Sequence, residues 1–279
     1  MNASSTIPAY VRSACLAAAG AACLLPILWL LCATLKTGPD LFQYPLLPWR
    51  HPGRLTLASY HQLFADQPFA AWMLSSIFLA CTQTVVSVLL ASLGGFALAK
   101  YRFFGRRAIM LLLLSVMLLP YQVLLPSSYE LMHHLGWLNS YRAILAPGVI
   151  SVFGLFLFSR AMGNVPDELL HSARIDGCGE FRLWWEIALP LVRPMIAAFT
   201  LLSFTASWNS FLWPQIVLQD PGKYTLPVGL ANMSVLPGSQ ADYGPLMAGT
   251  LLSILPVVLV FFAMQRDFVA GLTSGALRE

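Results

Sequence analysis

Charge is what this sequence has least of. Asp, Glu, Lys and Arg make up 10% of its 279 residues and apolar types 58%, whereas a soluble domain carries about 25% charge. That is too little charge to clothe a water-facing surface, so a soluble globular enzyme is excluded and lipid must cover much of the chain. Cysteine is also sparse. The five cysteines, at 15, 23, 32, 81 and 178, show no CxxC spacing, which suggests neither a zinc site nor a redox pair. Four of them sit in apolar runs and read as small hydrophobes. No GxxxxGK[ST] loop is present, so the chain has no usual cradle of its own for ATP phosphates. HExxH and GxSxG are missing as well. His133 and His134 are adjacent; on a helix they point about 100° apart, which reads as surface rather than as a metal site. The net charge is +4 with no basic stripe interleaved with aromatics. That excludes nucleic acid and points instead to the inside bias of Lys and Arg in membrane proteins.

What is present is a series of long uncharged runs: Ser13–Leu35, Phe69–Ala99, Ile109–Tyr129, Ala143–Ser159, Pro194–Gln219 and Tyr243–Gln265. A membrane-spanning helix needs about 20 mainly apolar residues, so six spans are expected. The first run follows Arg12 and resembles a signal peptide, but at 23 residues it is long for one and reads as a retained span. With the N-terminus in the cytoplasm, 11 basic residues fall inside and 5 outside, and Lys100–Arg107 is the clearest inner loop. Both termini are therefore expected in the cytoplasm. Outer segments at 36–68 and 220–242 are rich in loop-forming residues, including Pro45, Pro48, Pro52, Gly53 and Pro237-Gly238. Pro26, Pro120, Pro126 and Pro256 lie within spans, where they either kink helices along a moving path or only set packing geometry.

The span cores hold no ionisable side chain, which argues against a proton- or ion-coupled carrier and against a charged substrate neutralised within this chain. Gln83, Gln122, Asn209 and Ser210 are candidates for a polar path; each also fits a structural bond between helices.

The inner segment from Val165 to Pro194 reads VPDELLHSARIDGCGEFRLWWEIALPLVRP. Pro166, Asp167 and Glu168 suit a first helical turn, and Leu169, Leu170 and Ala173 form one apolar face. Gly177 breaks the pattern. A second helical piece carries Phe181, Trp184, Trp185 and Ala188 as an apolar stripe, with Pro190 ending it before the fifth span. Two readings stand side by side: a hairpin lying on lipid, or a docking element for a soluble partner.

This segment resembles the EAA loop of ABC-importer permeases, whose pattern is Glu-Ala-Ala, three residues, Gly, nine residues, Ile, one residue, Leu-Pro. Here Gly177 is followed by nine residues and then Ile187, Ala188, Leu189 and Pro190, and the preceding Arg174, Ile175 and Asp176 complete an ARIDG string typical of the sugar branch. PILWLLCATLK (26–36), LTLASYHQLF (55–64), SWNSFLWPQIVL (207–218) and KYTLPVGLANM (223–233) resemble the same branch, and QRDFVAGLTSGAL (265–277) resembles the cytoplasmic tail of the smaller permease of maltose importers. The family's triplet is replaced by His171, Ser172 and Ala173, which removes its acidic contact to the ATPase; Glu168 lies three residues earlier and can stand in for it in part.

The resemblance implies an all-α integral membrane protein of six transmembrane helices with the type I importer permease (MetI-like) fold. Residues 1–70 would form a first helix and external segment, 71–266 the permease core with its coupling loop at 165–194, and 267–279 a cytoplasmic tail. It further implies a non-catalytic subunit in a bacterial inner membrane. Its partners would be a second homologous permease, two ATPase subunits that bind ATP and Mg, and an extracytoplasmic solute-binding protein. The substrate would be a carbohydrate, with polyols and glycerol phosphodiesters as alternatives. Glu168, His171, Ser172, Ala173, Asp176, Gly177, Ile187, Leu189 and Pro190 would couple to the ATPase. An intramembrane enzyme and a membrane scaffold are the rival classes.

Overall fold

The structure, a computed structural model, describes residues 9–36, 40–44, 46, 55–233 and 243–276, with 9, 42 and 267–276 as backbone only. Pro45, Pro48, Arg50, Pro52, Gly53, Arg54, Pro237-Gly238 and Arg278, which figure in the expected loops and topology, lie outside the described residues. Every regular element among the described residues is helical.

The uncharged runs become helices because lipid offers the backbone no hydrogen-bond partner, so each peptide group must be satisfied within its own segment. The helix α1 (Ala9–Thr34) takes up the first run. Two short helices follow, α2 (Asp40–Gln43) and α3 (Ala58–Asp66). The long α4 (Phe69–Lys100) is succeeded by α5 (Arg106–Met117), a 3-10 turn at Tyr121–Leu124, α6 (Leu125–His134), α7 (Arg142–Gly148) and α8 (Val152–Gly163). The 165–194 segment forms α9 (Asp167–Ile175), α10 (Glu180–Arg182), a π-helical stretch at Leu183–Ala188, and α11 (Leu189–Leu191). The chain closes with α12 (Arg193–Trp208), α13 (Leu212–Val217), α14 (Leu226–Met233) and α15 (Tyr243–Ala276). The residues assigned to a C-terminal tail thus continue α15 as far as Ala276.

Five stretches are long and apolar enough to cross a membrane: Tyr10–Thr34, Phe69–Lys100, Arg142–Gly163, Arg193–Val217 and Tyr243–Arg266. The expected third span is not one rod. It is α5 and the 121–134 helix, bent by 93° at a short break, and it counts as a sixth crossing only if the bent pair is one span. The break falls at Leu118–Pro120. Proline lacks the N–H that would continue the helix and pushes the residue before it out of the α region, and Pro120 is extended (ψ 126).

The chain forms two compact units, residues 1–69 with 230–254, and 70–229 with 255–279. In the first unit, Lys36 is buried and its Nζ donates to the Tyr44 carbonyl at 2.7 Å, while the Tyr60 hydroxyl donates to Thr34 Oγ1 at 3.0 Å. In the second, two apolar cores form. One gathers Phe96, Phe158, Met162, Leu170, Leu183, Trp184 and Phe199 near the Lys100 end of α4. The other gathers Leu79, Met132, Ala143, Ile144, Val217 and Leu218 toward its opposite end.

Candidate functional site

The 165–194 segment is fastened to the end of α4 by charged groups. Lys100 Nζ donates to Asp167 Oδ1 at 2.7 Å and also to the Val165 carbonyl. Its neighbour Tyr101 donates its hydroxyl to Glu180. Glu180 in turn receives a bidentate pair from Arg174, Nε to Oε1 at 2.8 Å and Nη2 to Oε2 at 3.0 Å. Arg174 and Glu180 flank the Gly177 turn, so one carboxylate ties both helical pieces to the α4 terminus. Two-point guanidinium–carboxylate contacts fix orientation as well as distance.

The electrostatics follow this wiring. The hydrogen bond from Lys100 holds the Asp167 carboxyl below its usual value, with lesser help from His171 and Arg174. The Arg174 bonds, and then Tyr101, do the same for Glu180. Burial and then Glu180 push the Tyr101 hydroxyl upward. All three are therefore in their bonding forms around neutral pH.

Local sequence dictates the turn. Asp176 ends α9, Gly177 takes φ +84°, its N–H donates to the Arg174 carbonyl at 3.0 Å, and Cys178 N–H donates to the Ala173 carbonyl at 2.9 Å. This pair of bonds closes a helix through a left-handed residue, a conformation glycine adopts without steric cost. On the far side Pro190 does not end the helical piece as expected. The chain winds as a π-helix over Leu183–Ala188 and passes through Pro190 to Leu191 before breaking at Val192. The wider turn lies immediately before Pro190, whose ring would crowd the Glu186 carbonyl in a regular α-helix.

The coupling candidates divide by exposure. Ala173 is buried, and Ile187 and Leu189 pack against the core of Leu170, Leu183 and Trp184. Glu168, His171, Ser172, Asp176, Gly177 and Pro190 are exposed, and the Ser172 hydroxyl donates back to the Glu168 carbonyl at 2.9 Å. The two apolar stripes are only half right. Leu170, Ala173, Trp184 and Ala188 are buried as expected, but Leu169 is 47%, Phe181 66% and Trp185 52% exposed. With Ile175 at 87% they leave an apolar outer surface on the segment. A short amphipathic helix shows which residues share a face, not how wide the buried stripe is.

Gln83 and Ser210, two of the four polar-path candidates, meet at a cavity of about 310 Å³ between α4, the bent third span, α7 and α13. Gln83 Oε1 accepts from the Ser207 hydroxyl at 3.1 Å. Tyr121, Ser128 and Trp213 also line it, and the Trp213 Nε1 donates to the Ala143 carbonyl at 2.9 Å. Gly148 packs on Gln83 so closely that a Cβ there would lie 2.7 Å from its amide. The other two candidates are not on this wall. Gln122 is exposed next to Tyr121, and Asn209 turns its amide back to the Thr205 carbonyl at 2.9 Å, closing α12. Tyr101, Glu180, Tyr121, Ser128 and Trp213 were missed by sequence reasoning. The one available signal was Glu180 itself, an acidic residue placed just past the glycine turn. Among the described residues no cluster of His, Cys, Asp and Glu fits a metal ion.

The succession of apolar crossings, with a helix–glycine–helix segment fastened between two of them, defines a polytopic transport subunit. The family model for binding-protein-dependent transport system inner membrane components matches residues 88–273, and the chain belongs to that family. It is 35% identical over 254 residues to the arabinooligosaccharides transport system permease protein AraQ of Halalkalibacterium halodurans, spanning 91% of this chain and 90% of that protein. It is 30% identical over 273 residues to the lactose transport system permease protein LacG of Rhizobium radiobacter, with 95% of each covered. In fold it is similar, at a TM-score of 0.82 and 23% identity, to a chain in the crystal structure of a bacterial ABC transporter that imports the acidic polysaccharide alginate, covering 96% of this chain and 99% of that one.

Proposed function

We propose that this chain is one of two transmembrane subunits of an ATP-driven importer for a carbohydrate, and that residues 165–194 receive the force of ATP hydrolysis. The second subunit is a homologous permease, two ATPase subunits bind ATP and Mg on the cytoplasmic side, and an external solute-binding protein delivers the sugar. Both termini are cytoplasmic in a bacterial inner membrane. The chain hydrolyses nothing. Similarity to permeases named for arabinooligosaccharides and lactose supports the substrate class.

The observation that carries the coupling is the double fastening of the inner segment, Lys100 to Asp167 and Tyr101 to Glu180 with Arg174. A push on the exposed face of α9 is resisted by these bonds and by the packed core beneath Leu170 and Trp184, so α4 moves with the segment instead of shearing past it. The cavity at Gln83 offers hydroxyl and amide groups beside an aromatic ring, the mixture that fixes a polar ligand in a mostly apolar site.

The test is uptake into proteoliposomes holding all subunits, with arabinotriose, lactose and sn-glycerol 3-phosphate as probes. ATP-dependent entry of a saccharide is expected. Entry of glycerol phosphate alone would move the substrate class, and no entry of any probe despite ATP hydrolysis would favour a scaffold role.

A further inference from the structure

The loop between α4 and α5 and the end of α8 enclose an open concavity of about 1270 Å³. Four arginines line it, Arg102, Arg106, Arg107 and Arg160, and no acidic residue does. Among the described residues none of the four is paired with a carboxylate. Arg106 Nη1 only reaches the Tyr101 carbonyl, at 3.4 Å, and Arg160 lies over the Phe156 ring at 5.1 Å.

The start of α5 makes this charge harder to explain by the fold alone. Its cap is Gly105 at φ 84°, no side chain caps it, and its first turn holds two arginines and no acid. The N-terminal end of a helix carries a partial positive charge and unsatisfied N–H groups. Two cations there have the unfavourable sign. An anion from outside would relieve both the dipole and the guanidinium repulsion. Beside the arginines stand exposed apolar side chains: Phe104 is fully exposed and Leu111 59% exposed, at the mouth of a helix pair apolar enough to enter a membrane. A water-borne anion has no use for these, whereas a lipid has a phosphate for the arginines and acyl chains for Phe104 and Leu111.

We propose that this concavity is a binding site for the headgroup of an anionic phospholipid, held by Arg102, Arg106, Arg107 and Arg160 against the uncapped start of α5, with its chains over Phe104 and Leu111. Arg160 lies on α8, which leads directly into the coupling segment, so an occupied site braces the base of that segment against the bilayer.

The test is native mass spectrometry of the full chain in detergent micelles, titrated with phosphatidylglycerol or phosphatidylcholine. The wild type is expected to retain phosphatidylglycerol at much lower concentration than phosphatidylcholine. Arg160→Gln should weaken that retention about fivefold, and the combined variant R102Q/R106Q/R107Q on the order of a hundredfold, from about fivefold per juxtamembrane arginine. Arg142→Gln, at the other end of the α7–α8 pair, should change nothing. If the combined variant fails to fold, R102K/R106K/R107K keeps the charge and should still prefer phosphatidylglycerol. Equal retention of the two lipids by the wild type overturns the proposal, as does an undiminished preference in a folded combined variant. Displacement of the lipid by millimolar inorganic phosphate would make this a site for a free anion. A combined variant that keeps its lipid preference but no longer co-purifies with the ATPase subunits would make the patch a protein dock. Either result also overturns the lipid assignment.

Discussion

The two ends of α4 are held by different chemistry. At the Lys100 end the contacts are charged: Lys100 to Asp167, and Tyr101 and Arg174 to Glu180. Toward the Phe69 end the hydrogen bonds that α4 itself makes are neutral. Ser75 and Tyr141 share a hydrogen bond at 2.6 Å, Ser76 accepts from Leu226 N–H at 2.7 Å, and Trp72 donates to the Pro221 carbonyl at 2.8 Å. Asn139, in a left-handed conformation, uses Oδ1 to accept from both Gln219 and Asp220 N–H, at 3.1 and 3.0 Å. Neutral bonds hold a fixed shape. Charged bonds, one of them two-pointed, fix orientation and distance, so a displacement of one partner is passed to the other. The difference suits a span that is driven at one end and shaped at the other.

The largest effects come from breaking the packing common to both ends. A Cβ at Gly95 would lie 2.6–2.8 Å from the Phe158 Cβ, the Phe158 backbone carbon and the Ser159 nitrogen. Backbone cannot rotate away, so Gly95→Ala should separate α4 from α8 and cost about 1–3 kcal/mol or more, read as loss of folded yield and of thermal stability in detergent. Gly229→Ala meets the Trp72 ring instead, at 2.2–2.7 Å. It should also destabilise, but by less, because the ring can tilt at the expense of its bond to Pro221. Equal stability in both variants would remove the packing basis of the comparison.

Next comes the turn within the charged end. Gly177 has no neighbour within 4 Å of a built Cβ, so Gly177→Val fails for its backbone alone, by about 1–2 kcal/mol. Membrane insertion should stay near normal while uptake per ATP falls. Wild-type uptake by this variant in proteoliposomes would contradict the role of the turn. Asn139→Ala should leave coupling alone and loosen the 219–220 loop, by about 1 kcal/mol, seen as faster proteolysis there.

The sequence carried the helices well, because an uncharged run in lipid has no other fold open to it. It did not locate the break at Pro120, since proline inside a span fits a kink, a break or plain packing alike. The inner turn was legible at Gly177, where one residue type fits one conformation. The bonds of Tyr101 and Glu180 were not, because the partners lie 79 positions apart and each alone looks like a solvated surface residue. The cavity was half legible. Gln83 and Ser210 stood out as polar residues in apolar runs, whereas Tyr121 and Trp213 are indistinguishable in sequence from lipid-facing aromatics, which concentrate at membrane interfaces anyway.

The smallest expected effect is at His171, exposed on α9. His171→Ala should leave folding unchanged and weaken co-purification of the ATPase modestly. His171→Glu should tighten assembly if the ATPase keeps a basic residue opposite, and loosen it otherwise. Identical assembly, hydrolysis and uptake in both variants would leave His171 with no docking role. The pH profile sharpens the point. Asp167 and Glu180 have lowered values, so their contribution is present above the ordinary carboxylate range and is lost only as pH falls through those lowered values. Around neutral pH the clasps are therefore constant, and coupling should weaken only on acidification below the ordinary carboxylate range.

The central claim is that the charged clasps carry the stroke from the coupling segment to α4. The most direct measurement is the number of ATP molecules hydrolysed per solute moved, in proteoliposomes, for the wild type and for the combined variant Asp167→Asn with Glu180→Gln. Loss of both carboxylates should depopulate the clasped arrangement, and uptake per ATP should fall while hydrolysis continues. An unchanged ratio of uptake to hydrolysis in that variant would contradict the account.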